Sequence, residues 1–153
     1  MAVTAGAVIV TERPAPPPPA ALTARERDTL VLTAEERRWG RRRVRTAAGR
    51  ELVLALPTGS VLTPGEVLHV DERWYVVVEA ALEAVLAVTP ATPETALRVA
   101  FEVGNRHFTL AADGARLLIP DDPAMEALLR RLGMAYERTR AVFLPLGRGH
   151  RHD

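Results

Sequence analysis

Apart from carboxylate, histidine is the only good transition-metal ligand in this sequence. There are four histidines (His69, His107, His150 and His152), with no cysteine and no lysine. Two of them fall in His150-Arg151-His152-Asp153, and a third ends Gly104-Asn105-Arg106-His107, which holds the only asparagine. Imidazole suits nickel, copper and zinc, so the inventory points to a divalent-metal site of nitrogen and oxygen donors. His150 and His152 sit two apart, so in an extended chain both rings face one side. A lone histidine near a helix end usually packs or hydrogen-bonds locally, and by itself it is a poor metal site. A two-fold dimer changes the count, because a residue beside the axis appears twice and His107 then faces its own copy. His69 alternates with apolar neighbours in Val67-Leu68-His69-Val70 and reads as an exposed strand residue with no role.

Several chemistries are excluded or disfavoured. Without cysteine there is no disulfide, thiolate zinc site, iron–sulfur cluster or thiol nucleophile. Ser60, the only serine, lies in a turn with no histidine nearby in sequence. Glu35-Glu36 and Asp121-Asp122 read as a solvated face and a helix start. A hydrolytic metal centre wants three fixed ligands and a general base, whereas one fixed histidine per chain is apparent, so no enzyme is expected. The first ten residues lack the basic segment and long apolar core of a signal peptide. Residues 75–88 are apolar but broken by Glu79 and Glu83 and shorter than the roughly 20 residues of a membrane span. A cytoplasmic protein is expected.

The formal charge of +1 over 153 residues hides a basic region. Residues 24–50 hold nine arginines against four acidic residues, and Arg41-Arg42-Arg43-Val44-Arg45, as a strand, puts Arg41, Arg43 and Arg45 on one face. That is a solvated face or a docking surface for an acidic protein or nucleic acid phosphate. An RNA- or ribosome-associated module is the alternative function, weakened by an aromatic content of only 5%.

The positioning elements follow from periodicity. A proline-rich stretch, Pro14-Ala15-Pro16-Pro17-Pro18-Pro19, favours extended chain and sets off an N-terminal arm as a spacer. Short apolar runs at 30–32, 51–56, 67–70 and 74–78, separated by glycine and proline turns, predict a small all-β domain. The pattern then changes. Thr92 caps a helix with Pro93 at its first position, Ala96, Val99, Ala100 and Val103 form its stripe, and Gly104 stops it. Asp122, Pro123, the stripe Met125, Leu128, Leu129 and Leu132, and Gly133 repeat the plan. Strands at 83–88, 108–111, 116–119 and 134–142 complete βαββαβ, the ferredoxin-like order, in which both helical stripes bury against one face of an antiparallel sheet. His107 is thereby placed at the start of a strand. The fold class is α+β: residues 1–21 an arm and spacer, 22–79 the all-β domain, 80–146 the ferredoxin-like domain and 147–153 a histidine-bearing tail.

From about Leu30 to Leu146 the chain resembles the UreE family of urease accessory proteins, which are nickel metallochaperones. The resemblance is carried by Arg41-Arg42-Arg43-Val44-Arg45-Thr46, Leu54-Ala55-Leu56-Pro57-Thr58-Gly59, Gly104-Asn105-Arg106-His107 and Phe143-Leu144-Pro145. It implies a homodimer joined through the ferredoxin-like domains, with Ni²⁺ near the two-fold axis held by His107 from each subunit. Further ligands come from a C-terminal histidine tail, here reduced to His150 and His152. The implied partners are a UreG-type GTPase and the urease apoprotein with its accessory proteins. With no thiolate to discriminate, Cu²⁺ should bind at least as well and Zn²⁺ should compete. Imidazole must be neutral to coordinate, so affinity should fall with pH below about 6.5.

Overall fold

A computed structural model describes residues 6–147, in two compact units that divide between Ala81 and Leu82. The first unit contains two three-stranded sheets. One joins β1 (Val8–Val10), β3 (Arg41–Arg45) and β4 (Glu51–Ala55) in the order β1-β4-β3. The other joins β2 (Glu26–Leu32), β5 (Val67–Val70) and β6 (Trp74–Ala80) in the order β2-β6-β5, with β2 parallel to β6. Alternation in these strands sends one set of side chains inward. Leu30, Leu32, Leu52, Leu54, Leu56, Leu62, Leu68, Val76 and Val78 form a continuous buried core.

The N-terminal segment departs from the expectation of a detached arm. Val8–Val10 pairs parallel with Leu52–Leu54 as β1, and Val10 is buried in the core. Arg13 reinforces the attachment, donating to the Val61 carbonyl and pairing with Glu66. The proline run therefore carries the chain from this strand to a single helical turn, α1 (Pro19–Leu22), that precedes β2.

One buried charge ties β2 of one sheet to the turn between β3 and β4 of the other. Asp28, 3% exposed, accepts from the Thr29 and Ala48 amides and pairs with Arg50 at 3.0 Å. Burial alone pushes the Asp28 carboxyl up from 3.8, but hydrogen bonds from Thr46, Arg50 and the two amides outweigh it and hold it below that value. The depressed pKa means that its contribution to stability is complete above the unfolded value and fades as pH falls through the folded one. Asp28→Asn is therefore expected to cost about 1.5–3 kcal/mol at neutral pH, a drop of several degrees in the melting transition of this unit. The loss should shrink as wild type and variant are acidified below pH 4, and a calorimetric pH series would show it.

The second unit is built from β7 (Leu82–Val88), α2 (Pro93–Asn105), β8 (Ala111–Asp113), β9 (Arg116–Pro120), α3 (Pro123–Arg131) and β10 (Glu137–Val142). Its strands form one antiparallel sheet in the order β10-β7-β9-β8. That is fourth, first, third, second in chain order, the ferredoxin-like arrangement. Thr92 and Asp122 cap the helices as their types predict, accepting from Thr95 N–H at 3.1 Å and Ala124 N–H at 2.8 Å. Val99 and Val103 of α2 and Met125, Leu128 and Leu129 of α3 bury against Leu86, Val88 and Ile119 of the sheet. The α+β class and the two-domain plan match the reading from sequence. The strand after α2 begins three residues later than expected, at Ala111, and that shift matters for His107.

Candidate metal centre

His107 does not start a strand. It is exposed, lies in a turn four residues before β8, and has φ 62°, the only described non-glycine residue with a positive φ. The cause is how α2 ends. Gly104, expected to stop the helix, lies inside it, and the helix runs to Asn105 with Arg106 at its cap. The chain then closes with two reversed hydrogen bonds, His107 N–H to the Gly104 carbonyl at 2.9 Å and Phe108 N–H to the Val103 carbonyl at 3.2 Å. This closure needs a left-handed residue at the position His107 fills, and it lets the following apolar residue fold back over the last turn. Phe108 does so, packing on the core cluster that contains Val103. Helix α3 ends identically, with Gly133 N–H on Arg130, Met134 N–H on Leu129 and φ 70° at Gly133. Glycine adopts that conformation freely and histidine does not. At the end of α2 an imidazole therefore stands where backbone geometry favours glycine.

The surroundings suit a cation. The last carbonyls of α2 place the negative end of its dipole beside the turn. Arg106 is drawn back along the helix, its Nη1 donating to Glu102 Oε2 at 2.6 Å and to the Glu102 carbonyl at 2.9 Å, so its charge is neutralised on α2. Ahead of this turn α2 presents a second apolar face that the sequence reading passed over. Leu97 and Phe101 are 71% and 69% exposed, and Gly104, next on the same face, has open space where a side chain would stand. The i, i+4, i+7 spacing was visible in the sequence, but only the stripe of Val99 and Val103 was followed.

The structure does not bring the histidines together. His69 belongs to the first unit, on β5, and is half-buried where exposure was expected. Its ring lies 5.3 Å from that of Trp74, and its Nε2 is buried without a hydrogen-bond partner, 3.6 Å from Asp71 Oδ2. His150 and His152 lie outside the described residues. The segment leading towards them is anchored, because Leu146 N–H donates to the Leu110 carbonyl at 2.9 Å, three residues beyond His107. Among the described residues no three histidine, aspartate or glutamate side chains gather into a metal-binding group. Ser60 Oγ is spent on the Pro57 carbonyl at 2.6 Å. No described helix is long and apolar enough to cross a membrane.

Fold and site together define a two-domain α+β protein that, among its described residues, presents one exposed imidazole, at a helix end, beside an exposed apolar helix face. Two family models match in sequence order: the UreE urease accessory protein N-terminal domain over residues 10–81 and the UreE C-terminal domain over residues 83–153. The chain belongs to the UreE family of urease accessory proteins. It is 37% identical over 137 residues to the urease accessory protein UreE of Burkholderia orbicola, covering 87% of this chain and 67% of the relative. It is 42% identical over 129 residues to that of Bordetella pertussis, covering 80% and 63%. A bifunctional urease accessory protein UreEF of Bordetella bronchiseptica matches the same extent at 42%, in 30% of its own length. The chain thus spans roughly two thirds of the single-function relatives it matches.

Proposed function

We propose that this protein is a nickel carrier for urease maturation, acting as a homodimer in which His107 and its symmetry copy hold Ni²⁺ at the subunit junction. The observation that carries the reading is the placement of a strained, exposed imidazole within about two helical turns of an apolar face that no described residue of its own unit covers. Pairing that face with itself would remove Leu97 and Phe101 from water and set two copies of His107 across the axis. Phe101 and Leu97 supply the apolar burial, and Gly104 lets the second helix approach closely.

Two rigid imidazoles leave coordination positions for other donors. His150 and His152 supply them: from the anchored Leu146, a four-residue reach covers up to about 14 Å. The anchor itself is fixed to Leu110, close in sequence to His107. A site completed by tail residues and water is one from which a partner's ligands can withdraw the ion, as a carrier requires. Cu²⁺ and Zn²⁺ compete for the same nitrogen donors, so the choice of nickel rests on supply and on the receiving partner. That partner is a UreG-type GTPase acting with the urease apoprotein and its accessory proteins, and the fused relative supports assembly among accessory proteins. The protein does no catalysis of its own and works in the cytoplasm.

Light scattering joined to size exclusion, with nickel measured across the peak, tests the reading. The expected result is a particle of twice 16.7 kDa carrying its tightest nickel at one ion per two chains. A monomer with and without nickel would refute the shared site.

A further inference from the structure

The arginine strand of the first unit is not used by the nickel reading, and its place in the sheet gives it a role. β3 is an edge: it pairs with β4 on one side, and among the described residues no strand pairs with it on the other. The hydrogen bonds Leu56 N–H to Gly40 and Thr46 N–H to Arg50 set the ladder's phase. Alternation then assigns the β4-facing backbone groups to Arg42 and Val44, and turns those of Arg41, Arg43 and Arg45 to the open edge. The side chains divide the same way. Val44 packs on the core and Arg42 lies 3.5 Å over the Trp39 ring, while Arg41, Arg43 and Arg45 are exposed on the outer face. Arg43 pairs with Glu51 there at 2.6 Å, and Arg45, directly across the ladder from Glu51, acts on the same carboxylate. Arg45 donates to the Gly49 carbonyl, and among the described residues neither Arg41 nor Arg38 meets a carboxylate. Arg38 and Arg41 also line a cleft of about 530 Å³, together with Trp39, Thr58, Ser60 and one carboxylate, Glu35.

We propose that this edge docks an extended acidic segment of a partner protein by strand addition. Guanidinium groups on alternate residues repeat at about 6.8 Å, the spacing of carboxylates on alternate residues of an added strand, and opposite charges directly across a ladder attract. Three arginines on an open edge repel a second copy of the same strand, which disfavours self-pairing here. Nucleic acid fits less well: its bases need open aromatic faces, and one face of Trp39 is already covered by Arg42. The cleft beside Arg41 receives the residues that follow the paired ones.

The test is fluorescence anisotropy with a labelled octapeptide of alternating glutamate and valine, the corresponding lysine–valine peptide, and a labelled oligothymidine. Wild type is expected to bind the acidic peptide best, with affinity falling about tenfold in the double variant Arg41→Gln, Arg45→Gln, while nickel binding is unchanged. Amide exchange at Arg41, Arg43 and Arg45 should slow in the peptide complex, which charge attraction without strand pairing would not produce. Tighter binding of the oligothymidine, equal binding by the double variant, or unchanged exchange at those three amides would each overturn the proposal. All three leave the nickel reading standing, since they probe the other unit.

Discussion

Replacing His107 with glycine is expected to abolish the tightest nickel site and at the same time raise the stability of the second unit. The two effects share one cause. The imidazole sits at φ 62°, where the closure of α2 calls for a residue without a Cβ. A non-glycine residue in this region bears roughly 1–2 kcal/mol of strain, and part of that is relieved in the variant. For a unit of this size, 1 kcal/mol corresponds to about 4–8 °C in melting temperature. His107→Ala should lose nickel equally but gain no stability, because alanine bears the same backbone cost. Equilibrium dialysis against Ni²⁺ beside calorimetry reads both. A chain truncated after Gly147 should keep the site with weaker affinity, separating the fixed imidazole from the tail. Parental nickel binding by His107→Gly would remove this residue from the site altogether.

Phe101→Glu is expected to convert the proposed dimer to a monomer at micromolar concentration. The face formed by Leu97 and Phe101 is exposed in a single chain, so a carboxylate there costs the isolated domain little. In a symmetric junction the same substitution occurs twice, placing two like charges where two aromatic rings met. Truncating one central aromatic anchor commonly costs 2 kcal/mol or more, and an unpaired buried charge adds to that. The mass should fall from twice 16.7 kDa to that of one chain. Nickel retention should fall with it even though His107 is untouched, because the second imidazole has left. A variant that stays dimeric, joined by Leu97→Glu behaving likewise, would move the junction elsewhere on the molecule.

How far these features were legible depended on whether their cause was local. Thr92-Pro93 and Asp122-Pro123 announce helix starts because a side-chain cap and a fixed proline φ act within three residues, and both helices begin there. The ferredoxin-like order followed from the alternation of helix and strand patterns. β1 was hidden because its partner β4 lies more than forty residues away and the proline run between them looked like a separator. The strand after α2 was placed three residues too early for another nonlocal reason. Gly104 carries the residue type of a stop signal, but the chain turns where Phe108 reaches the apolar cluster under Val103, and only the packed core specifies that. His69 looked like an outward strand position until Trp74 was seen beside it, next to a register shift between Val67 and His69.

The paired ends of the two helices give this protein an internal reference. One joint carries glycine and the other histidine, in the same domain and under the same solvent conditions. The opening rates of the Phe108 and Met134 amides, read from a single spectrum, therefore compare a relaxed hinge with a loaded one without any engineered control. With metal bound at the loaded hinge as proposed, its amide alone should become harder to open, so occupancy can be followed from the backbone without a signal from the ion.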